Sequence, residues 1–121
     1  MDEPDSKKFL IGVVGPCGSG KSTLIAGLEK EGFKCRHIAQ EHSYVPSMWQ
    51  KITNPDLLVF LNASFETCTQ RRKLNWTHAD YQEQQNRLAH AFRYADLIIE
   101  TDWLTIEEVQ KRVVDFLRTK R

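Results

Sequence analysis

The stretch GPCGSGKS at residues 15–22 carries the clearest chemical signal in this sequence. It fits the pattern G-x-x-x-x-G-K-[ST], whose glycines allow successive backbone N–H groups to point into one concavity that attracts a polyphosphate. In such a loop the lysine reaches the terminal phosphates, and the serine hydroxyl completes a Mg²⁺ coordination shell. We therefore expect Lys21 to be catalytic as well as phosphate-binding, and Ser22 to be a metal ligand. The residues expected to contact the nucleotide are Gly15, Pro16, Cys17, Gly18, Ser19, Gly20, Lys21, Ser22 and Thr23.

Two regular elements are predicted to hold this stretch in place. Residues 9–15 (FLIGVVG) are continuously apolar, which is typical of a central parallel strand buried on both faces. Residues 21–30 then have helical spacing, and this strand–turn–helix order is the context that a phosphate-binding loop requires. The dinucleotide pattern G-x-G-x-x-G cannot be laid over the glycines at 15, 18 and 20, which argues against a nicotinamide or flavin enzyme.

Strands and helices alternate along the rest of the chain. The further strands predicted are residues 34–39, 57–61 and 96–100, and the helices are residues 47–52, 64–72, 80–94 and a closing helix capped by Thr105 with Glu108. Such alternation favours βαβ crossovers and therefore a mostly parallel sheet covered on both faces. We predict a three-layer α/β sandwich with a mostly parallel sheet of four strands, or five. It forms one domain at residues 9–121, after a polar lead-in at residues 1–8.

Composition excludes several classes of partner. The 17 basic and 16 acidic residues give a net charge of +1 with no clustered basic excess, so nucleic acid is not an expected partner. No apolar run approaches the roughly 20 residues of a membrane span, and the charged first residues, MDEPDSKK, predict no signal peptide. The 3 cysteines, without a CxxC pair, predict reduced thiols in a cytoplasmic protein, with neither a disulfide framework nor a zinc site.

From residue 9 onward the sequence resembles the P-loop NTPase superfamily, and within it the branch of nucleotide and small-molecule kinases. GPCGSGKST at residues 15–23 carries the resemblance at the loop, and the closing half, from residue 56 to the ADLIIET segment at 95–101, carries it by pattern. This half is similar to dephospho-coenzyme A kinase and adenylate kinase-like enzymes, although the middle of the chain is shorter. The resemblance implies a P-loop NTPase fold that binds ATP with Mg²⁺ and transfers the γ-phosphoryl group to a small-molecule acceptor.

The resemblance also implies roles for residues outside the loop. In such kinases, arginines at the end of the helix that flanks the lid clamp the transferring phosphates, and this catalytic role falls to Arg71 or Arg72. Arg87 and Arg93, on the next helix, are further candidates. The loop after the last strand lies beside the adenine, which makes Asp102 a candidate for nucleotide binding.

The position of the expected carboxylate departs from the family's pattern. Kinases of this kind place an acidic residue at the end of an apolar strand near the loop, but here the strand at 57–61 is followed by Asn62. Glu41 follows the second strand, on the edge of the sheet where α/β proteins bind ligands. We expect it to hold Mg²⁺ through water, or to act as the base toward an acceptor hydroxyl. His42 is the alternative base, since its ordinary pKa lies near neutrality, and Glu100 is a second candidate for Mg²⁺.

The short segment between the second and third strands leaves the function open. Family members carry an additional strand and an acceptor-binding segment there, whereas this chain has only residues 40–55. A small ATP-dependent kinase therefore stands beside a nucleotide-binding regulatory module, or slow NTPase, without transferase activity. A third hypothesis is a GTP-dependent protein resembling the molybdenum-cofactor guanylyl-transfer accessory family, through residues 32–37. No Asn-Lys-x-Asp guanine signature is present, so ATP is expected rather than GTP. For the oligomeric state, the expectation is either a monomer or a homodimer.

Overall fold

Four strands form the sheet of this protein: β1 (Leu10–Val14), β2 (Lys34–His37), β3 (Leu57–Asn62) and β4 (Leu97–Glu100). The computed structural model describes residues 9–120, so the lead-in predicted for residues 1–8 lies outside the described part of the chain. The spatial order is β2-β1-β3-β4. Every neighbouring pair is parallel, with β1 bonded on both sides.

Five α-helices in the described part of the chain connect or follow these strands. They are α1 (Lys21–Lys30), α2 (Met48–Ile52), α3 (Phe65–Arg72), α4 (His78–Tyr94) and α5 (Ile106–Lys120). A 3₁₀ turn at Gln40–His42 follows β2. None of the described helices is both long and apolar enough to cross a bilayer.

The helices cover both faces of the sheet, so the architecture has three layers. Because successive strand residues point to opposite faces, each strand contributes to two cores. One core forms where α1 and α5 pack on Ile11 and Val13, and the other where α2 and α4 pack on Val14 and Phe60. The prediction of an α/β fold with a mostly parallel sheet is confirmed, and the described residues form four strands rather than five.

Side-chain caps explain where two of the helices begin. The hydroxyl of Ser64 accepts a hydrogen bond from the amide of Thr67 at 3.2 Å, which satisfies a free amide in the first turn of α3. The predicted capping box between Thr105 and Glu108 is present at the start of α5, with distances of 2.8 and 3.1 Å. These local signals account for the agreement between the predicted and observed boundaries.

The start of α4 differs from the prediction. Residues 73–79 are predicted to be irregular, but a capping box between Thr77 and Asp80 starts α4 two residues earlier than expected. The ring of Trp76 also stacks on Phe65, with the ring centroids 6.1 Å apart. The connection between α3 and α4 is therefore shorter than predicted and packs against α3.

Two apolar residues at the ends of helices are exposed. Ile52 is 70% exposed, because α2 is only one turn long and turns Trp49 toward the sheet. Ile106 is 59% exposed at the first position of α5, where it lines a cleft beside the glycine-rich segment. Helical spacing alone does not show which of the end residues pack against the sheet.

The carboxyl ends of the four strands meet at one edge of the sheet, because all the strands run in the same direction. The glycine-rich loop (residues 15–20) follows β1, the 3₁₀ turn follows β2, and Ala63 and Thr101 follow β3 and β4. This edge therefore brings together side chains that are far apart in the sequence.

Candidate functional site

The glycine-rich loop packs tightly against the strand and helix beside it. Gly15 has a φ of 153°, and a Cβ there would overlap the carbonyl oxygen of Leu61. Gly18 has a φ of 87°, and a Cβ there would lie 2.7 Å from the carbonyl oxygen of Cys68 in α3. Both positions require glycine, for backbone conformation and for space.

The loop leads into the N terminus of α1, which has no side-chain cap. Gly20 is the N-cap residue and offers no side chain, and the first turn contains no acidic residue. The first amides of a helix lack intrahelical partners, and the helix dipole makes this end electropositive. Residues 20–23 line a cleft of about 800 Å³. The geometry therefore favours an anionic group in the cleft.

Lys21 turns its side chain back over the loop. Its ammonium donates hydrogen bonds to the carbonyl oxygens of Gly15 at 2.7 Å and Pro16 at 3.0 Å. It also pairs with Glu41 Oε2 at 3.0 Å, and the two side chains are 5% and 3% exposed. The structure thus brings together two residues that are predicted to be catalytic, one from the loop and one from the turn after β2.

Glu41 has one carboxylate oxygen without a partner. Oε2 accepts from Lys21, whereas Oε1 is buried and accepts no hydrogen bond from any described residue. Leaving a buried polar atom unsatisfied costs about 1–3 kcal/mol, and more for a charged group. Water or a cation bound beside Oε1 would remove this cost. Ser19 Oγ, in the loop, is likewise buried and without a partner in the described part of the chain.

The two arginines at the end of α3 have different surroundings. Arg71 donates from Nη1 to the carbonyl oxygens of Gly18 and Ser19, both at 3.3 Å. It also donates to Thr101, at 3.0 Å from both its side-chain and its carbonyl oxygen. Arg72 is exposed, lines the cleft and forms no side-chain hydrogen bond or ion pair with the described residues. Arg71 therefore holds the loop in place, and Arg72 is the arginine with donors available for a ligand.

Asp102 is not among the residues that line the cleft. Its Oδ1 accepts a hydrogen bond from the backbone amide of Ser64 at 2.9 Å, at the start of α3. Partial burial would raise its pKa, but hydrogen bonds from Ser64 and Thr67 and the nearby Arg71 together lower the pKa below its ordinary value. The structure places the carboxylate at a helix start rather than among the residues that line the cleft.

Asn62 and Glu100 contact each other at the other end of the same sheet edge. Asn62 Nδ2 lies 3.3 and 3.2 Å from the two carboxylate oxygens of Glu100, and Asn62 Oδ1 accepts from Gln85 at 3.2 Å. Neither residue lines the cleft. The structure therefore does not bring Glu100 to the glycine-rich loop.

Arg87 and Arg93 also lie outside the lining of the cleft. Arg87 donates to the carbonyl oxygen of Glu41 at 3.2 Å, and its guanidinium lies 4.3 Å from the ring centroid of Tyr44. It supports the turn that carries Glu41. Arg93 is exposed near the end of α4.

Gln84 contacts the loop but is not among the predicted site residues. The backbone amide of Cys17 donates to Gln84 Oε1 at 3.0 Å, and Gln84 Nε2 donates to Cys17 Sγ at 3.4 Å. The sequence predicts a mostly solvated α4, because this helix is rich in glutamine. However, its buried residues Gln84, Leu88 and Ala91 follow i, i+4, i+7 spacing, which is the signal that could have identified the buried face.

His37 is a second cleft residue that is absent from the predicted site. It ends β2, at the sheet edge where the ligand-binding side chains of such folds collect. Burial of part of the ring lowers its pKa, and nearby Lys21 lowers it further, while Glu41 acts in the opposite direction. The neutral imidazole is therefore favoured more strongly than in an ordinary histidine.

The fold and the cleft define an α/β protein in which a glycine-rich loop, a buried lysine–glutamate pair and an exposed arginine meet at the carboxyl edge of a parallel sheet. No protein-family model matches the sequence, and no curated protein shows significant similarity to it. Its function must therefore be inferred from the chemistry of the cleft.

Proposed function

We propose that this protein is a small P-loop kinase that binds Mg²⁺–ATP in the cleft and transfers the γ-phosphoryl group to a small-molecule acceptor. The observation that carries the proposal is the buried pair of Lys21 and Glu41 beside the uncapped N terminus of α1. A buried ion pair is weak support for a purely stabilising role, because desolvation offsets most of the attraction. A lysine, a carboxylate and free helix amides together are the groups that phosphoryl transfer requires.

The phosphates would bind to the loop and to Lys21. The amides at the start of α1 provide donors, and Lys21 already lies over the loop, where it donates to the carbonyl oxygens of Gly15 and Pro16. A phosphate oxygen would replace these carbonyls as acceptor of the lysine's hydrogen bonds. Little side-chain ordering is needed, because the ammonium is already buried at the loop.

The residues present fit a magnesium ion. Ser22 is exposed at the start of α1, and Glu41 has a buried oxygen without a partner. Mg²⁺ prefers oxygen ligands and retains several waters, so one hydroxyl and one carboxylate are a sufficient protein contribution. When bound, the ion neutralises charge on the phosphate oxygens.

Arg72 and the residues after β2 would complete the transfer step. The guanidinium of Arg72 has donors available to stabilise the charge of the transferring group, while Arg71 holds the loop against Thr101. The acceptor oxygen forms a bond to phosphorus as the bond to ADP breaks. The proton of the acceptor is taken by Glu41 or His42, which both line the cleft.

The base would bind further along the cleft. Leu104 and Ile106 line it on the side of α5 and provide an apolar surface for a flat ring. The chain has no guanine signature, which supports adenine as the base.

A second candidate is a nucleotide-binding module, or slow NTPase, without transferase activity. This candidate is favoured by the shortness of the segment between β2 and β3, in which the structure describes a single α-helix, α2. Trp49 of this helix is buried, and its indole donates to His90 Nδ1 at 3.0 Å. The part of the segment after His42 therefore packs on the core and contributes no residue to the lining of the cleft.

The proposal is tested by measuring ATP binding and ADP release in the presence of Mg²⁺, with and without fractionated cellular metabolites. Lys21→Ala is expected to weaken ATP binding at least about 100-fold, because a charge-assisted contact and the partner of Glu41 are both lost. Lys30→Ala, an exposed lysine at the end of the same helix, is the matched control and should leave binding unchanged.

The outcomes separate the two candidates. Turnover that depends on one metabolite fraction and is lost in Lys21→Ala supports a kinase, and the active fraction leads to the acceptor. ATP binding without stimulated turnover supports the second candidate. Equal ATP affinity of Lys21→Ala and the native chain would contradict both, and stronger competition by GTP would contradict the choice of adenine.

A further inference from the structure

Three side chains that can bind a metal ion meet at the mouth of the cleft. Cys17 belongs to the glycine-rich loop, and Glu41 and His42 belong to the 3₁₀ turn after β2. Cys17 Sγ lies 3.5 Å from His42 Nε2 and 3.9 Å from Glu41 Oε2, and the last two atoms are 3.7 Å apart. Within residues 9–120 this is the one such group that offers three ligand atoms together.

The spacing of the three atoms fits a single small cation. The point equidistant from them lies about 2.1 Å from each, and typical bonds to Zn²⁺ are about 2.0–2.3 Å for nitrogen, oxygen and sulfur ligands. Three protein ligands leave a fourth tetrahedral position for water or another ligand. The sulfur and the nitrogen therefore need little movement to bind one ion, whereas Glu41 Oε2 must first leave its ion pair with Lys21.

Two independent features distinguish this cluster from a chance contact. The Glu41 side chain is 3% exposed, and its Oε1 is buried without a partner among the described residues, so the carboxylate retains an unused ligand atom. In addition, Gln84 holds both the amide and the sulfur of Cys17, which fixes the thiol toward the turn. A buried carboxylate oxygen without a partner, beside a positioned thiol, provides an additional ligand atom for a cation.

We propose that Cys17, Glu41 and His42 form a site for one thiophilic divalent cation of the Zn²⁺ class. The Cys17 thiol loses its proton to solvent as the metal–sulfur bond forms, and His42 Nε2 and Glu41 donate lone pairs. Because Glu41 Oε2 now pairs with Lys21, the cation either displaces that ammonium or binds through Oε1. Mg²⁺ prefers oxygen ligands and is not expected to occupy a site with a thiolate.

Zn²⁺ and Mg²⁺–ATP are expected to exclude each other, an expectation that rests on the proposed function. Zinc would hold Glu41 and the loop residue Cys17, both of which line the cleft. A site of this kind would let metal availability control nucleotide binding. The metal site itself depends on no nucleotide, so it can be tested first and separately.

The test titrates the full chain with Zn²⁺ in the absence of nucleotide, and with Co²⁺ as a spectroscopic substitute. We expect one ion per chain and a thiolate-to-cobalt charge-transfer absorption. Cys17→Ser should abolish that absorption and weaken Zn²⁺ binding at least about 100-fold. Cys35→Ser, which removes a half-buried thiol on β2, is the matched control and should change neither.

His42→Asn provides a second variant whose folding is not at risk, since this side chain is 58% exposed. It should weaken Zn²⁺ binding at least about 10-fold, whereas His78→Asn at the start of α4 should not. No charge-transfer absorption in the native chain, or one that survives Cys17→Ser, would overturn the site, as would equal Zn²⁺ affinity of His42→Asn. Adding ATP then tests exclusion alone: a failure of ATP binding would count against the proposed function and leave the metal result standing.

Discussion

The carboxylates at the two ends of the sheet's carboxyl edge differ in burial and in hydrogen bonding. Beside β1 and β2, Glu41 is buried, pairs with Lys21 and retains an oxygen without a partner. Beside β3 and β4, Glu100 is exposed, and both its carboxylate oxygens accept a hydrogen bond from Asn62. An acidic residue at the end of a strand is therefore not enough to define a site, because the residues around it decide whether a ligand can bind.

Beside β3 and β4, the polar side chains form hydrogen bonds with one another. Asn62 donates to Glu100 and accepts from Gln85, which in turn donates to the hydroxyl of Tyr81 at 2.6 Å. The hydroxyl of Tyr81 donates to the carbonyl oxygen of Ala63, also at 2.6 Å. A closed network of this kind has little to gain from a cation, whereas the Glu41 region has an unmet acceptor.

The largest expected effect distinguishes the two carboxylates directly. Glu41→Gln should lower the rate of acceptor-stimulated ADP release about 1,000-fold, because it removes the charge that serves the metal or the acceptor proton. Glu100→Gln should leave the rate within about twofold, because that side chain lies outside the cleft. A larger loss in Glu100→Gln than in Glu41→Gln would reverse the comparison and assign the site to β4.

The next effect separates two neighbouring arginines. Arg72→Ala should lower turnover about 100-fold without changing the free energy of unfolding, since the side chain is exposed and has donors available for a ligand. Arg71→Ala should lower the free energy of unfolding by about 1–3 kcal/mol, because it loses its hydrogen bonds to the loop and Thr101. Steady-state kinetics and urea denaturation measure the two effects, and equal losses of stability would contradict the distinction.

Two adjacent glutamines on α4 allow a smaller and matched test. Gln84→Ala should cost about 1–3 kcal/mol and weaken ATP binding, because it releases the amide and the sulfur of Cys17 in the loop. Gln85→Ala should cost less than about 1 kcal/mol and leave ATP binding unchanged, since it contacts only the Asn62 region. Weakened ATP binding in Gln85→Ala would mean that the two regions are coupled.

The smallest effect concerns the pH dependence of stability at His37. Burial and nearby Lys21 lower the pKa of this histidine in the folded chain below 6.5. As the pH falls, the unfolded chain therefore binds a proton at His37 at a higher pH than the folded chain does. The contribution of neutral His37 to the free energy of unfolding is complete above pH 6.5 and is lost as the pH falls toward the pKa of the folded chain. His37→Asn should reduce the change in the urea denaturation midpoint between pH 7 and pH 5, compared with the native chain. An unchanged slope would show that another group causes the acid sensitivity.

Local signals predicted most of the fold. The apolar runs identified β1, β3 and β4, and the capping box of Thr105 with Glu108 placed the start of α5. Such features are short-range, because a glycine conformation, a cap or a strand period depends on residues a few positions apart. The missed start of α4 followed from an unrecognised capping box at Thr77 and Asp80.

The sequence by itself determined the parallel α/β order and the glycine-rich loop, because both follow from local backbone chemistry. Only the tertiary structure decided that Glu41 rather than Glu100 approaches Lys21, that Arg71 holds the loop, and that Gln84 fixes Cys17. These contacts join residues from different strands and helices. Their existence depends on how the faces of those elements pack, and no short-range pattern in the sequence specifies that packing.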